Sequence, residues 1–175
     1  MPAPVDHTLE LVPLSVPVLE ALVAGDLQTA SQEAGVPLSP YFLVEQWLWR
    51  IRLEQVAGDP GALDWIARAA VDAATREVVG RVGFHGPPDE AGMVEVGYSV
   101  DPEHRRRGYA RAMLRTAIAW AASDPAVRTV RASISPDNAA SLATLRPFGF
   151  EPVGEQWDDV DGLELLFERP ARLPT

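Results

Sequence analysis

The stretch Val94-Glu-Val-Gly-Tyr-Ser-Val-Asp-Pro-Glu-His-Arg-Arg-Arg-Gly-Tyr-Ala110 decides the reading of this chain. Val94, Val96, Tyr98 and Val100 alternate with Glu95, Gly97, Ser99 and Asp101, the two-residue period of a strand. Asp101-Pro102 stops that strand. Beyond the arginines, Ala110, Met113, Leu114, Ala117, Ile118 and Ala121 form a helical stripe, which predicts a helix over 108–122. A strand, a short arginine-rich loop and a helix start make an anion site. The first amides of the helix lack partners within it, its dipole is positive there, and glycine at 108 lets phosphate approach the backbone. Arginine side chains add charge-assisted, often bidentate contacts. A Walker loop needs a Gly-Lys-Ser/Thr ending that is absent here, and the GxGxxG dinucleotide fingerprint is absent as well.

The rest of the composition fits such a site. A formal charge of −10 argues against nucleic acid or an anionic membrane as the main partner. All fifteen basic residues are arginine, so no lysine is available for Schiff-base chemistry. Five of them (Arg105, Arg106, Arg107, Arg111 and Arg115) crowd into one short stretch. That clustering suits a small polyanion, and a solvated helix face accounts for it equally. With no cysteine there is no disulfide framework, thiolate nucleophile or Cys-based zinc site, and no His/Asp/Glu group has metal-ligand spacing. No window approaches a membrane span and the first residues do not read as a secretion signal, so a cytoplasmic location is expected. The length of 175 residues predicts a single domain over 1–175.

Outward from the quoted stretch, a first strand is expected over Thr8–Leu14 and a helix over Ser15–Gly25 with Ser15 as N-cap. A second helix is expected over Tyr41–Ala57, and a hairpin from strands Leu63–Ala73 and Glu77–His85. Val130, Ala132 and Ile134 mark another strand, and Asn138–Arg146 a short helix stopped by Pro147 and Gly149. Phe150–Trp157 and Leu163–Arg169 read as a closing hairpin. The order β-α-α-β-β-β-α-β-α-β-β is α/β without a regular doubly wound repeat.

Residues 94–110 resemble the acetyl-CoA motif of the GNAT superfamily of N-acetyltransferases, Arg/Gln-x-x-Gly-x-Gly/Ala, with Arg105, Gly108 and Ala110 in its three places. Asn138-Ala-Ala-Ser-Leu-Ala-Thr-Leu-Arg-Pro-Phe-Gly-Phe150 is similar to the second motif of that superfamily, an Asn-led helix ending in Gly-Phe. Asn138 with Ser141 most resembles the ribosomal-protein N-terminal acetyltransferase (Rim-type) branch and its small-molecule relatives. The resemblance implies a GNAT fold, a mixed central sheet flanked by helices and splayed open between the strands ending at Val100 and Ser135. It implies acetyl-CoA as co-substrate, with pantetheine along Tyr98, Ser99 and Val100. The pyrophosphate would sit on Arg105, Arg106, Arg107, Gly108, Tyr109 and Ala110, with Arg106 and Arg107 less closely tied to the motif. Asn138 would bond the pantetheine, cap its helix, or do both. No metal is implied, and dimers are common in the superfamily.

The implied reaction moves acetyl to a primary amine by direct attack, which needs a base for the ammonium proton and an acid for the thiolate. Glu95 is the candidate base, against the reading of a solvated edge glutamate. The tyrosine usual in the second-motif helix is replaced by Leu145. Ser141 is the candidate acid, against the reading that it only completes the cap behind Asn138. His85 and His104, without a sequence partner, read as surface residues. Trp49 and Tyr41 are candidates for the acceptor pocket, with Trp47 expected in the core. Asp158, Asp159 and Asp161 suit either a cationic acceptor or a polar hairpin tip. The acceptor is a peptide or small-molecule amine: a protein N-terminus, a polyamine, an aminoglycoside-like drug or an amino-acid derivative. The alternative, favoured by Leu145, is a non-catalytic acyl-CoA-binding or sensing module.

Overall fold

The computed structural model describes residues 6–172. Its strands are β1 (Leu9–Pro13), β2 (Arg68–Asp72), β3 (Val78–Phe84), β4 (Met93–Val100), β5 (Thr129–Ile134), β6 (Glu151–Asp158) and β7 (Gly162–Pro170). Its helices are α1 (Val16–Ala24), α2 (Leu27–Ala34), α3 (Tyr41–Val44), α4 (Gln46–Gly58), α5 (Tyr109–Ser123) and α6 (Ala139–Leu145). The strands form one open sheet in the order β1-β2-β3-β4-β5-β7-β6, antiparallel except for the β4–β5 pair. Among the described residues no helix is long and apolar enough to cross a membrane.

Two cores cover the two faces of the sheet. On one, α5 lays Met113, Leu114, Ala117 and Ile118 against Val82, Phe84, Val94, Val96 and Val130. On the other, α1 and α4 bury Leu19, Leu22, Leu48 and Trp49 against Ala69, Val71 and Val78. Strand alternation sends successive residues to opposite cores. A register shift in the β2–β3 pair between Ala70 and Val71 breaks that parity. Val79 therefore shares a core with Val82 and Phe84. Nearby Gly80 has no room for a side chain, because a Cβ would strike the Ser99 carbonyl of β4.

The expected elements recur with three corrections. Helix α2 lies where no element was expected; its polar sequence buries only Ala30, so it carries little apolar periodicity. Its signals are punctuation: Gly25 in the left-handed region ends α1, and Asp26 accepts from the Thr29 amide at 3.0 Å. The strand expected from Leu63 begins only at Arg68, because Pro60–Asp64 coil into a 3₁₀ turn that buries Ala62. The helix expected over 41–57 is broken at Glu45, whose carboxylate turns inward to Arg81. Ser15 stands at the α1 N-cap position but its side chain makes no capping bond.

Candidate active site

The site begins where the sheet opens. Parallel β4 and β5 pair only at Met93–Thr129, Val94–Val130 and Glu95–Arg131. Past Glu95 they part, while β4 stays paired with β3 to Val100 and β5 with β7 to Ile134. The backbone of β4 on that side is left without a strand partner, which a ligand can fill. Two chambers occupy the split, of about 1210 Å³ and about 600 Å³, and both are lined by Tyr98, Asn138 and Ser141.

The larger chamber is the arginine end. Tyr98, Ser99, Val100, Asn138 and the whole turn from Arg105 to Ala110 line it. Gly108 adopts φ 94° immediately before α5, and Arg106 is also left-handed at φ 63°. Left-handed backbone costs a β-carbon-bearing residue about 1–2 kcal/mol, so the turn is held against local preference at Arg106. Several anchors hold it. Arg105 Nε donates to the Val100 carbonyl at 3.1 Å, and its guanidinium lies 6.0 Å from the Tyr41 ring centre. Tyr41 and Ser99 share a hydroxyl hydrogen bond of 2.6 Å, while Ser39 donates to the buried Asp101 that caps the turn through the Glu103 amide. Tyr109 is buried and its hydroxyl donates to Asp72 at 2.9 Å; burial, then Asp72 itself, push this phenol up to about 12. All ten residues expected around acetyl-CoA thus line one chamber.

The smaller chamber is assembled from distant segments. Glu95 Oε1 accepts from Ser133 Oγ at 2.6 Å, and His85 Nδ1 lies 3.5 Å from the same oxygen. The Glu95 side chain is 19% exposed, so it is not a solvated edge residue. His85 lies at the surface as expected, its side chain 53% exposed, but it is not unpartnered: β3 and β4 pair at Phe84–Val96, setting 85 beside 95. Arg52 and Gln55 of α4 both donate to the His85 carbonyl, at 3.0 and 2.7 Å. Gly97 leaves room for the ring, since a Cβ there would sit 3.2 Å from Nε2. Partial burial among these side chains, with Arg52 and Arg81 nearby, holds His85 below the usual imidazole value despite the pull of Glu95 and Glu164. Gln156, Asp158, Asp161 and Glu164 of the β6–β7 hairpin complete the chamber.

At the junction, Asn138 Oδ1 accepts from the Ser141 amide at 3.0 Å, so Asn138 caps α6 and the Ser141 side chain lines both chambers. Among the described residues the buried Tyr98 hydroxyl makes no well-formed hydrogen bond; burial raises it, partly offset by the neighbouring Ser141 and Thr144 hydroxyls, which lie close without good bonding geometry. Leu145 is packed into the core with α5 and presents nothing to the cleft. Two expectations for the acceptor side are corrected. Trp49 has no exposed surface, its indole donating to the Phe42 carbonyl at 2.7 Å, whereas Trp47 is 56% exposed. The break at Glu45 shifts the helical phase and exchanges the two rings. Tyr41 braces the arginine end through Ser99, away from the smaller chamber. His104 lines the larger chamber, edge-on to Tyr109.

A family model described as acetyltransferase (GNAT) domain matches residues 11–151. This chain belongs to the GNAT family. The N-acetyltransferase YjdG of Bacillus subtilis (strain 168), itself described as uncharacterized, is 34% identical to this GNAT chain over 150 residues, covering 82% of it and 86% of the relative. Solved structures agree on the GNAT fold. Ribosomal-protein-S5-alanine acetyltransferase from Vibrio fischeri superposes with TM-score 0.62 at 19% identity, covering 95% of this chain and 94% of that one. Spermidine N-acetyltransferase from Vibrio cholerae in complex with CoA and spermine gives 0.61 at 14% identity, covering 94% and 96%. At these identities the likeness is one of fold.

Proposed function

We propose that this GNAT protein moves the acetyl group of acetyl-CoA to a primary amine by direct attack. The observation that carries this reading is the split between β4 and β5, whose two chambers share Tyr98, Asn138 and Ser141. One chamber has the cations and free amides that phosphates need; the other has a carboxylate–imidazole pair suited to proton removal. The coenzyme fits the larger chamber: Gly108 removes side-chain bulk at the helix start, and Arg105, Arg106 and Arg107 surround it. When bound, acetyl-CoA supplies the thioester carbonyl that the amine attacks.

Proton management falls to the chain. Amines arrive protonated, and the Glu95–His85 pair accepts that proton. Because His85 is held below the usual imidazole value, it is neutral near pH 7 and free to accept. Glu95 orients the ring through Nδ1 and stabilises the imidazolium that forms. Ser141 donates toward the departing thiolate, with the Tyr98 hydroxyl beside it. The carboxylates Asp158, Asp161 and Glu164 make the acceptor chamber negative and favour a cationic amine, such as a polyamine or a peptide N-terminus. No metal takes part in this scheme. A cytoplasmic location and a homodimer accompany the reading.

One observation favours a second reading: Leu145 occupies the place of the usual tyrosine acid and is buried. A protein lacking that acid could bind acyl-CoA only to sense it. Free-thiol release from acetyl-CoA, followed across a panel of amines with wild type and Glu95→Gln, separates the two. Turnover that collapses in the variant is expected. Tight coenzyme binding with no turnover on any amine would overturn the enzyme in favour of the sensor.

A further inference from the structure

His7 stands a hundred residues from the arginine turn in sequence and directly beneath it in space. Its Nε2 lies 2.9 Å from the Arg107 carbonyl oxygen and its Nδ1 lies 2.9 Å from Asp72 Oδ2. The ring stacks on Tyr109 with centroids 3.9 Å apart, and only 14% of the side chain is exposed. Both partners are acceptors. A carbonyl oxygen has no proton to give. Asp72 has none either: against the effect of burial, the Thr75 and Ala74 amides, Tyr109 and His7 hold its carboxyl below the usual range. The ring therefore bridges two oxygens, one on β2 and one on the turn.

The Arg107 carbonyl also has a geometric role. It lies outside the α5 ladder, whose first bond runs from the Ala112 amide to the Gly108 carbonyl, and among the described residues no amide reaches it. In a trans peptide the C=O and the following N–H point in opposite directions, and every described peptide here is trans. Drawing the Arg107 carbonyl down onto His7 therefore turns the Gly108 amide outward, toward the larger chamber. We propose that His7 is a positioning residue for the coenzyme's phosphates, holding the arginine turn in its binding form by tying the Arg107 carbonyl to Asp72 of β2. This rests on the coenzyme reading given above. Removing the ring leaves the Arg107 carbonyl without a donor among the described residues, whereas Asp72 keeps the Ala74 and Thr75 amides and Tyr109.

The charged and titratable groups around the ring are Asp72 from β2, Tyr109 and Arg115 from α5, and Arg107 from the turn itself. Arg115 donates to the His7 carbonyl and pairs with Asp6, Glu77 acts on Tyr109, and His104 meets the other side of Tyr109. His7 thus has one carboxylate in direct contact, and its second bond is to the turn.

The test follows the ring and the coenzyme together. Calorimetry with coenzyme A is run on wild type, His7→Ala and His7→Gln. His7→Ala should bind about tenfold more weakly, the worth of roughly one hydrogen bond, and His7→Gln, whose amide can donate to the Arg107 carbonyl, should recover part of that loss. The Michaelis constant for acetyl-CoA should rise in His7→Ala while that for the amine stays put. Amide NMR of wild type should show the Gly108 resonance among those that move most when coenzyme A binds. A variant too unstable to measure leaves the wild-type NMR to decide. Equal affinities in wild type and His7→Ala, or a Gly108 amide unmoved by bound coenzyme, overturns the positioning role alone. Absence of coenzyme binding by wild type at any pH overturns the coenzyme reading and this one with it.

Discussion

The two ends of the cleft are built in opposite ways. The arginine end draws most of its lining from one run, Tyr98 to Ala112, and is braced from below by His7, Asp72, Tyr41 and Ser39. The smaller chamber gathers His85, Glu95, Ser133 and the β6–β7 hairpin from five separate strands or strand ends. Strand β6 at its rim is exposed along nearly its whole length, with Trp157 74% exposed. A site that grips a fixed phosphate group profits from a preorganised turn on a helix start. A site that must suit one amine among many is set by whichever side chains the sheet brings to its mouth, on elements with few packing constraints. Binding strength should therefore reside in the first end, and rate and selectivity in the second.

That division can be broken most sharply at Glu95. Glu95→Gln disables the Glu95–His85 pair and should lower the turnover number by about 10²–10⁴-fold, the usual share of general-base catalysis, while coenzyme A affinity by calorimetry stays near wild type. A parallel loss of coenzyme affinity would show the two ends to be one unit. Next in size is Gly108→Val, which forces a β-branched residue to φ 94°. Strain of about 1–3 kcal/mol at the phosphate turn should weaken coenzyme binding by roughly 100-fold or less, without altering the relative rates on different amines.

Smaller effects sharpen the picture. Replacing Asp158, Asp161 and Glu164 together by their amides should raise the Michaelis constant for a cationic amine by about tenfold, leaving that for acetyl-CoA alone, with the difference shrinking in high salt. The pH–rate profile supplies a fourth check. His85 is held below its ordinary 6.5, so activity should rise with pH through a midpoint under that value and stay level above it. His85→Gln should lower the turnover number and remove this acid limb. Least of all, Tyr109→Phe removes one donor from Asp72 and should cost about 1 kcal/mol in denaturant unfolding. The Asp72 carboxyl is held below its ordinary 3.8, so its contribution is present above that pH and fades as pH falls through the folded value. The Tyr109→Phe deficit should accordingly narrow in acid.

Local pattern and tertiary contact divided the information along the same line. Alternation in 94–101, the stripe in 110–121 and the Asn138 cap are short-range features, and each element stands where the sequence put it. Helix α2 was illegible because it buries a single alanine, and the exchange of Trp47 and Trp49 because a break at Glu45 changes phase without a glycine or proline to announce it. His85 and His7 were illegible for a deeper reason. Each owes its partner to strand pairing, Phe84–Val96 for one and Leu9–Asp72 for the other, and register is not written in either segment alone.

By itself, then, the sequence determined the strand, the glycine turn and the helix after it, because alternation, a left-handed glycine and helical periodicity are properties of neighbours along the chain. The motifs they carry gave the resemblance that implied the GNAT fold. Only the tertiary structure decided that Glu95 shares an oxygen with His85 and Ser133, that Leu145 belongs to the core, and that a histidine from the first strand's approach supports the turn. Those are contacts across strands and between layers, where a shift of one residue in register would put every side chain on the opposite face.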